Sequence, residues 1–312
     1  MRIAMNIGGE VVGSPVPPMD LVDQVVGAEA DGFASAWTVH FSRGVDALGV
    51  LAVAGSRTST IDLGVGVVPT YPRHPLALAQ QAATVQAFCS GRLTLGVGVS
   101  HRPVIEGLFG LEYTSPAAHL REYLAVLVPL LRDGSVTHRG RYFEVDGGAN
   151  VPGTSRVRVV VGALGPRMVR AAGEAADGVV TWLCGPRSLE TVVVPTLLDA
   201  AAGRPAPRVV AAIPVAVCDD PDDGRSAAAT TFARYGGLEN YQRVMDREGV
   251  TSVGELAVVG PETDVLRRLE RFAAAGVSEL WATPFPVGPD PVASLRRTRG
   301  LLASLTPTAV GR

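Results

Sequence analysis

From end to end, runs rich in valine, isoleucine and leucine alternate with stretches whose apolar residues recur at helical spacing. No other feature of the sequence constrains the fold as strongly. Strand patterns fall at 2–8, 33–39, 61–68, 92–100, 157–163, 178–183, 208–217 and 278–285. Helical patterns fill the intervals at 19–30, 46–55, 76–88, 117–131, 166–176, 189–201, 222–248 and 261–276, and a last one follows at 290–305. The segment 136–147 alternates around an Arg-Gly turn and is expected to be a small β-excursion outside the regular order. Eight strands, each followed by helix, predict an α/β fold, a (β/α)8 TIM barrel with insertions, as a single domain over 1–312. A doubly wound sheet would carry GxGxxG after its first strand, and GGEVVGSP does not match it.

Composition narrows the chemistry. The 28 basic residues are all arginine, so no lysine Schiff base and no phosphate loop of the GxxxxGK[ST] type can form. A net charge of -2 gives no electrostatic reason to expect nucleic acid or an anionic membrane. No apolar run approaches the roughly 20 residues of a membrane helix, and the N-terminus reads as a strand rather than a signal peptide, so the expectation is cytoplasmic. Cys89, Cys184 and Cys218 lack metal-ligand spacing and are expected as buried thiols; no metal site is predicted.

In a barrel, function sits at the C-terminal strand ends. Those positions hold Gly8, Gly9 and Glu10; His40 with Phe41 and Arg43; Thr70, Tyr71, Arg73 and His74; Ser100, His101 and Arg102; Ala163, Leu164, Gly165 and Pro166; Thr181 and Trp182; Thr283 and Phe285. Three of the five histidines fall on this rim, whereas His119 and His138 fall elsewhere and are read as packing residues. Pro166, at the first helical position after the Ala-Leu-Gly turn, leaves amides free for an anion, although an ordinary strand–helix turn reads the same way. GVGVS at 96–100 would let backbone approach a flat ligand. Arg73 and His74 either fix the rim loop or cap the next helix.

At these residues the chain resembles the luciferase-like monooxygenase superfamily, in particular its coenzyme F420-dependent oxidoreductase branch. The resemblance rests on WTVH, GVGVVPTYPRHP, RLTLGVGVSHRP, ALGPRMVRAAGEAADG and VVGPETDVLRRLERFAAAGVSEL, and covers most of the chain. It implies a non-prolyl cis peptide at Gly66–Val67, in a bulge of the third strand against the cofactor ring. It places Val97, Gly98 and Ser100 along the ring or its ribityl chain, Ala163, Leu164 and Gly165 at the phosphate, and Thr181 near the phosphate tail. His40 matches a histidine beside the ring and is the expected proton donor or acceptor, with His101 as the second catalytic candidate. Two departures stand out: Val39 replaces an aspartate found in some relatives, and His101 occupies a carboxylate position. The absence of lysine argues against sugar-phosphate substrates.

The implied reaction is hydride transfer between the deazaflavin C5 and a small organic substrate. Trp37, Phe41, Trp182 and Phe285 are read as apolar rim residues. The alternatives are an FMN-dependent monooxygenase on the same barrel and a non-catalytic deazaflavin- or flavin-binding protein. Family analogy adds a homodimer as the expected assembly.

Overall fold

The computed structural model describes residues 1–8 and 15–306; Gly9 and Glu10, expected on the rim, lie outside the described residues. The strands are β1 (Arg2–Ile7), β2 (Ser35–Thr38), β3 (Asp62–Pro69), β4 (Leu93–Gly98), β5 (Ser135–Arg139), β6 (Glu144–Gly148), β7 (Arg158–Gly162), β8 (Gly178–Trp182), β9 (Arg208–Val217), β10 (Val258–Gly260) and β11 (Glu279–Pro284). Eight of them pair in parallel in the order β1-β2-β3-β4-β7-β8-β9-β11, and β11 pairs back with β1, closing the barrel. The helices used below are α1 (Pro18–Ala30), α2 (Ala47–Arg57), α3 (Pro75–Phe88), α4 (Arg102–Phe109), α5 (Pro116–Asp133) and α6 (Pro166–Ala175).

Some local expectations hold and others are revised. β5 and β6 form the antiparallel hairpin foreseen at 136–147. A short parallel strand, β10, adds to the far end of β9 through Val258–Val215 and Gly260–Val217; at three residues it was hidden against the helix that follows. The 222–248 stretch is three helices, Pro221–Thr231, Ala233–Gly236 and Glu239–Glu248, broken at Phe232 and at Gly237. The segment after His101 forms α4, closed by Gly110 in the left-handed region where glycine carries no Cβ penalty. All three cysteines are buried and unpaired. Among the described residues no helix is long and apolar enough to cross a membrane.

Strand alternation divides the core in two. Ile3, Met5, Leu63, Val65, Leu95, Val97, Val159 and Val161 point outward into the layer beneath the helices. Ala4, Trp37, Val160, Val180, Val210, Ala212 and Trp281 fill the barrel itself. At the N-terminal end of this interior sits a buried carboxylate. Glu279, 1% exposed, accepts from Ser35 Oγ at 2.6 Å and Trp37 Nε1 at 2.7 Å, and pairs with Arg208. Arg208 also donates to Thr94 Oγ1 at 3.0 Å. Above it Trp37 stacks on Trp281, with centroids 5.2 Å apart. Gly64 and Gly66 leave room for these indoles, since a Cβ on either would run into the Trp37 or Trp281 ring. Trp37, expected on the rim, is therefore an interior residue.

Candidate active site at the barrel mouth

The bulge expected in β3 is present. Val65 pairs with Leu95 and Val68 with Val97, so two residues of β3 oppose only Gly96, and the Gly66–Val67 peptide is cis. Val67 projects toward β4 and β7. A Cβ on Gly98 would come within 2.8 Å of Val67 Cγ2, and one on Gly162 within 3.2 Å of its Cγ1. The glycines of β4 thus accommodate the Val67 side chain as well as opening backbone to the mouth. Val97 lies on the opposite face of β4, wholly buried under the helices, and can offer the mouth only its backbone. Ser100, half-buried beyond the end of β4, has a left-handed backbone with φ of 60°, an outlier of the kind that gathers at functional sites.

His40 stands two residues past β2 and is half-buried. Its Nδ1 accepts the Ala47 amide at 3.4 Å, which leaves the proton on Nε2. Burial, aided by the Arg73 charge and opposed by Asp46, holds its pKa below the usual imidazole value, so the ring is neutral near pH 7. Asp46 caps α2 through the Leu48 amide at 2.9 Å and binds Arg73 at 2.6 Å. Burial works against its ionised form, but the Arg73 hydrogen bond and charge bring its pKa below the ordinary carboxylate value. Arg73 also donates to Gln81 Oε1 at 2.7 Å. The two readings of the Arg-His pair therefore separate: Arg73 ties the β3 loop to the His40 loop, while His74 caps α3, its Nδ1 accepting the Leu76 amide at 3.3 Å.

The β7–α6 turn is open. Gly165 begins α6 without a side-chain cap, Pro166 follows it, and a Cβ on Gly165 would meet nothing within 4 Å. Ala163 is buried, and the Leu164 carbonyl accepts from Arg247 Nη2 at 3.3 Å. Thr181 on β8 and Thr283 on β11 are buried, and the hydroxyl of each lacks a partner. His101 occupies the N-cap position of α4 without capping it by side chain; its ring lies 6.1 Å from that of Tyr241, and burial lowers its pKa.

A feature that the sequence did not reveal covers this end of the barrel. Phe232 and Tyr235 meet Trp182 with ring centroids 5.7 and 5.8 Å apart, and Phe232 meets Phe285 at 5.6 Å. Tyr235 in turn contacts Tyr241 at 5.1 Å, and Arg234 lies over Phe41 at 5.2 Å. The 232–241 segment thus ties the ends of β2, β4, β8 and β11 together under an aromatic cover. Its only sequence signal was aromatic residues on an otherwise polar helical stretch. Two surface clefts, about 320 and 600 Å³, lie elsewhere, between α2 and α3 and beside the β5–β6 hairpin.

The remaining histidines pack. His119 stacks on Tyr71 at 4.0 Å, lies 3.2 Å from Thr70 Oγ1, and is driven to a pKa of about 4 by burial, against a smaller opposing effect of Glu122. His138 sits 3.5 Å from Glu122.

Comparison with known proteins agrees with this geometry. The profile of the luciferase-like monooxygenase family matches residues 1–279. The 5,10-methylenetetrahydromethanopterin reductase of Methanopyrus kandleri is 27% identical, over 88% of this chain and 90% of that protein. The solved structure of the coenzyme F420 dependent tetrahydromethanopterin reductase from Methanopyrus kandleri superposes with a TM-score of 0.80, at 24% identity and 97% coverage of both chains. An F420-dependent secondary alcohol dehydrogenase, solved with an F420-acetone adduct, superposes with a TM-score of 0.78 at 20% identity, over 100% of this chain and 99% of that one. With its closed barrel, its bulged third strand and a family match over nearly its whole length, the chain belongs to the luciferase-like monooxygenase family.

Proposed function

We propose that this protein is a coenzyme F420-dependent oxidoreductase acting on a small organic substrate. The observation that carries the reading is the likeness, along most of the chain, to 5,10-methylenetetrahydromethanopterin reductases and to a solved tetrahydromethanopterin reductase described as coenzyme F420 dependent. The residues present fit such a group. The uncapped Gly165 turn suits a phosphate, the Val67 bulge offers an apolar surface for a flat ring, and the orphaned Thr283 hydroxyl, on the inward face of β11 with Trp281, awaits a polar partner; Thr181, in register with Ala211 of the outer layer, can offer the mouth only its backbone. When bound, the deazaflavin supplies hydride chemistry at its C5. The chain's own work is to hold and to exclude. His40, fixed through Nδ1, presents Nε2–H as a hydrogen-bond donor to a substrate oxygen or nitrogen and steadies the charge that develops there. The Trp182, Tyr235 and Phe232 rings keep water from the reacting atoms. They favour a substrate of apolar or mixed character.

Fluorescence titration with oxidised F420 and with FMN tests this reading. F420 is expected to bind at least tenfold more tightly, and reduced F420 to be consumed by some member of a panel of enones, imines and ketones. Tight FMN binding with oxygen uptake would replace it by the monooxygenase reading. Changing His40 to glutamine is expected to lower kcat at least about a hundredfold while F420 affinity stays within about threefold. Because the His40 pKa is depressed, the neutral ring persists through pH 7. Protonating Nδ1 would break the Ala47 bond that fixes the ring, so the acid limb of kcat/KM is expected below about pH 6.5 and absent from the variant. A non-catalytic binding protein would bind F420 yet consume none of it with any substrate and show no kinetic effect of the substitution.

A homodimer fits one face of the molecule. α3 has no charged residue, and α2 has only Arg57 at its end, whereas α1 carries Asp20, Asp23 and Glu29 and α6 carries Arg167, Arg170 and Glu174. Val53 and Phe88 are 41% and 55% exposed there, beside the groove of about 320 Å³ between the two helices. An uncharged face can meet its own copy across a two-fold axis without like charges facing each other. Light scattering is expected to find a dimer for the native chain and a folded monomer for Ala52→Glu; a native monomer would refute the assembly.

A further inference from the structure

The barrel interior ends on a polar side chain to which nothing above gives a role. Asn6 on β1 lies in register with Trp37 on β2, two residues beyond the inward Ala4, and is half-buried. Trp281 Nε1 donates to Asn6 Oδ1 at 3.1 Å. An indole N–H can only donate, so this bond fixes the carboxamide: oxygen toward Trp281, Nδ2 away from it. A Cβ on Gly8 would lie 3.5 Å from Nδ2, which directs that nitrogen toward the C-terminal end of β1 and hence toward the mouth. Among the described residues no acceptor meets it. The other edge of the same indole fills the space beneath Gly66, its Cη2 standing 2.9 Å from where a Cβ would be. One buried ring thus spans from the Asn6 carboxamide to the β3 bulge.

We infer that Asn6 is a ligand-orienting residue whose Nδ2–H group donates to a carbonyl oxygen on the edge of the flat cofactor ring lying against Gly66–Val67. The inference rests on the cofactor reading above and adds to it a contact from the first strand. A carboxamide does not titrate, so the donor is present at every working pH. The contact also sets the ring's in-plane orientation, because the donor cannot rotate without breaking the Trp281 bond.

The discriminating variant is Asn6→Asp, which keeps an oxygen for Trp281 but turns the donor into an acceptor. In fluorescence titrations with oxidised F420 and FMN, the dissociation constant of the tighter cofactor is expected to rise tenfold or more in Asn6→Asp. A smaller rise is expected in Asn6→Ala, where the donor is lost but no oxygen faces the carbonyl. The ring's absorption maximum should shift in both variants, while Trp fluorescence and Tm of the unliganded Asn6→Asp protein stay those of the native chain. Should Asn6→Asp fail to fold, Asn6→Ser carries the same readout. Native affinity and an unshifted spectrum in a folded variant would overturn the assignment of Asn6 alone. Failure of the native chain to bind either cofactor would overturn the cofactor reading and this inference with it.

Discussion

Replacing Glu279 with leucine is expected to lower stability by about 3–5 kcal/mol, because breaking one partner of a buried ion pair strands the other. Glu279 is 1% exposed and is the shared acceptor for Ser35 Oγ, Trp37 Nε1 and the Arg208 guanidinium. Leucine would leave the buried Ser35 and Trp37 donors without that acceptor, and the partly buried Arg208 would keep only Thr94. Scaling the usual unfolding entropy per residue to a chain of 312 residues converts the loss to roughly 5–8 °C in Tm. Glu279→Gln, which keeps an accepting oxygen, should lose less. Pairing Glu279→Leu with Arg208→Met should recover part of the loss, since the stranded charge is then gone. Urea or thermal unfolding of the three variants checks the order. A double variant less stable than Glu279→Leu would show that Arg208 is held by something other than this carboxylate.

Gly66→Ala is expected to cost at least about 1–3 kcal/mol as an overpacking substitution, and to abolish tight cofactor binding as well. The added methyl would occupy the space of the Trp281 ring, itself 4% exposed and stacked on the fully buried Trp37. Neither indole can retreat, because Trp37 is bonded to Glu279 below and Trp281 to Asn6 above. The bulge must move instead, carrying Val67 out of the space kept for it by Gly98 and Gly162. Gly165→Ala serves as the comparison, since its Cβ meets nothing within 4 Å and should leave stability unchanged. Thermal unfolding and F420 titration on both variants separate the two cases. Native stability in Gly66→Ala would mean that the indole column is loose.

Much of the scaffold was legible in local pattern. The eight barrel strands were all placed, most within two residues of their ends, because outward faces rich in valine and leucine and prolines at helix starts such as Pro75 and Pro166 are local signals. His40, Ser100 and the Gly165 turn were singled out by one rule, that chemistry gathers at the C-terminal strand ends, and they stand just past the ends of β2, β4 and β7. Asp46 was not found, although its place before ALGVLA marked it as a helix cap; its partner Arg73 stands 27 residues on, and no local pattern joins them. The aromatic cover at 232–241 was missed for the same reason, since it reaches residues as distant as Phe41.

The sequence by itself determined the order of strands and helices, the absence of lysine chemistry and which residues stand at the C-terminal end of the barrel. Only the tertiary structure decided which face each residue took. Trp37 belongs to the interior rather than the rim, Val97 to the helix layer while Gly98 faces Val67, and Asn6 is turned by Trp281 toward the mouth. The physical reason is that a strand's side chains alternate with a period of two. Which parity faces inward is set by closing eight strands around one filled interior, a condition on the whole ring that no single segment contains.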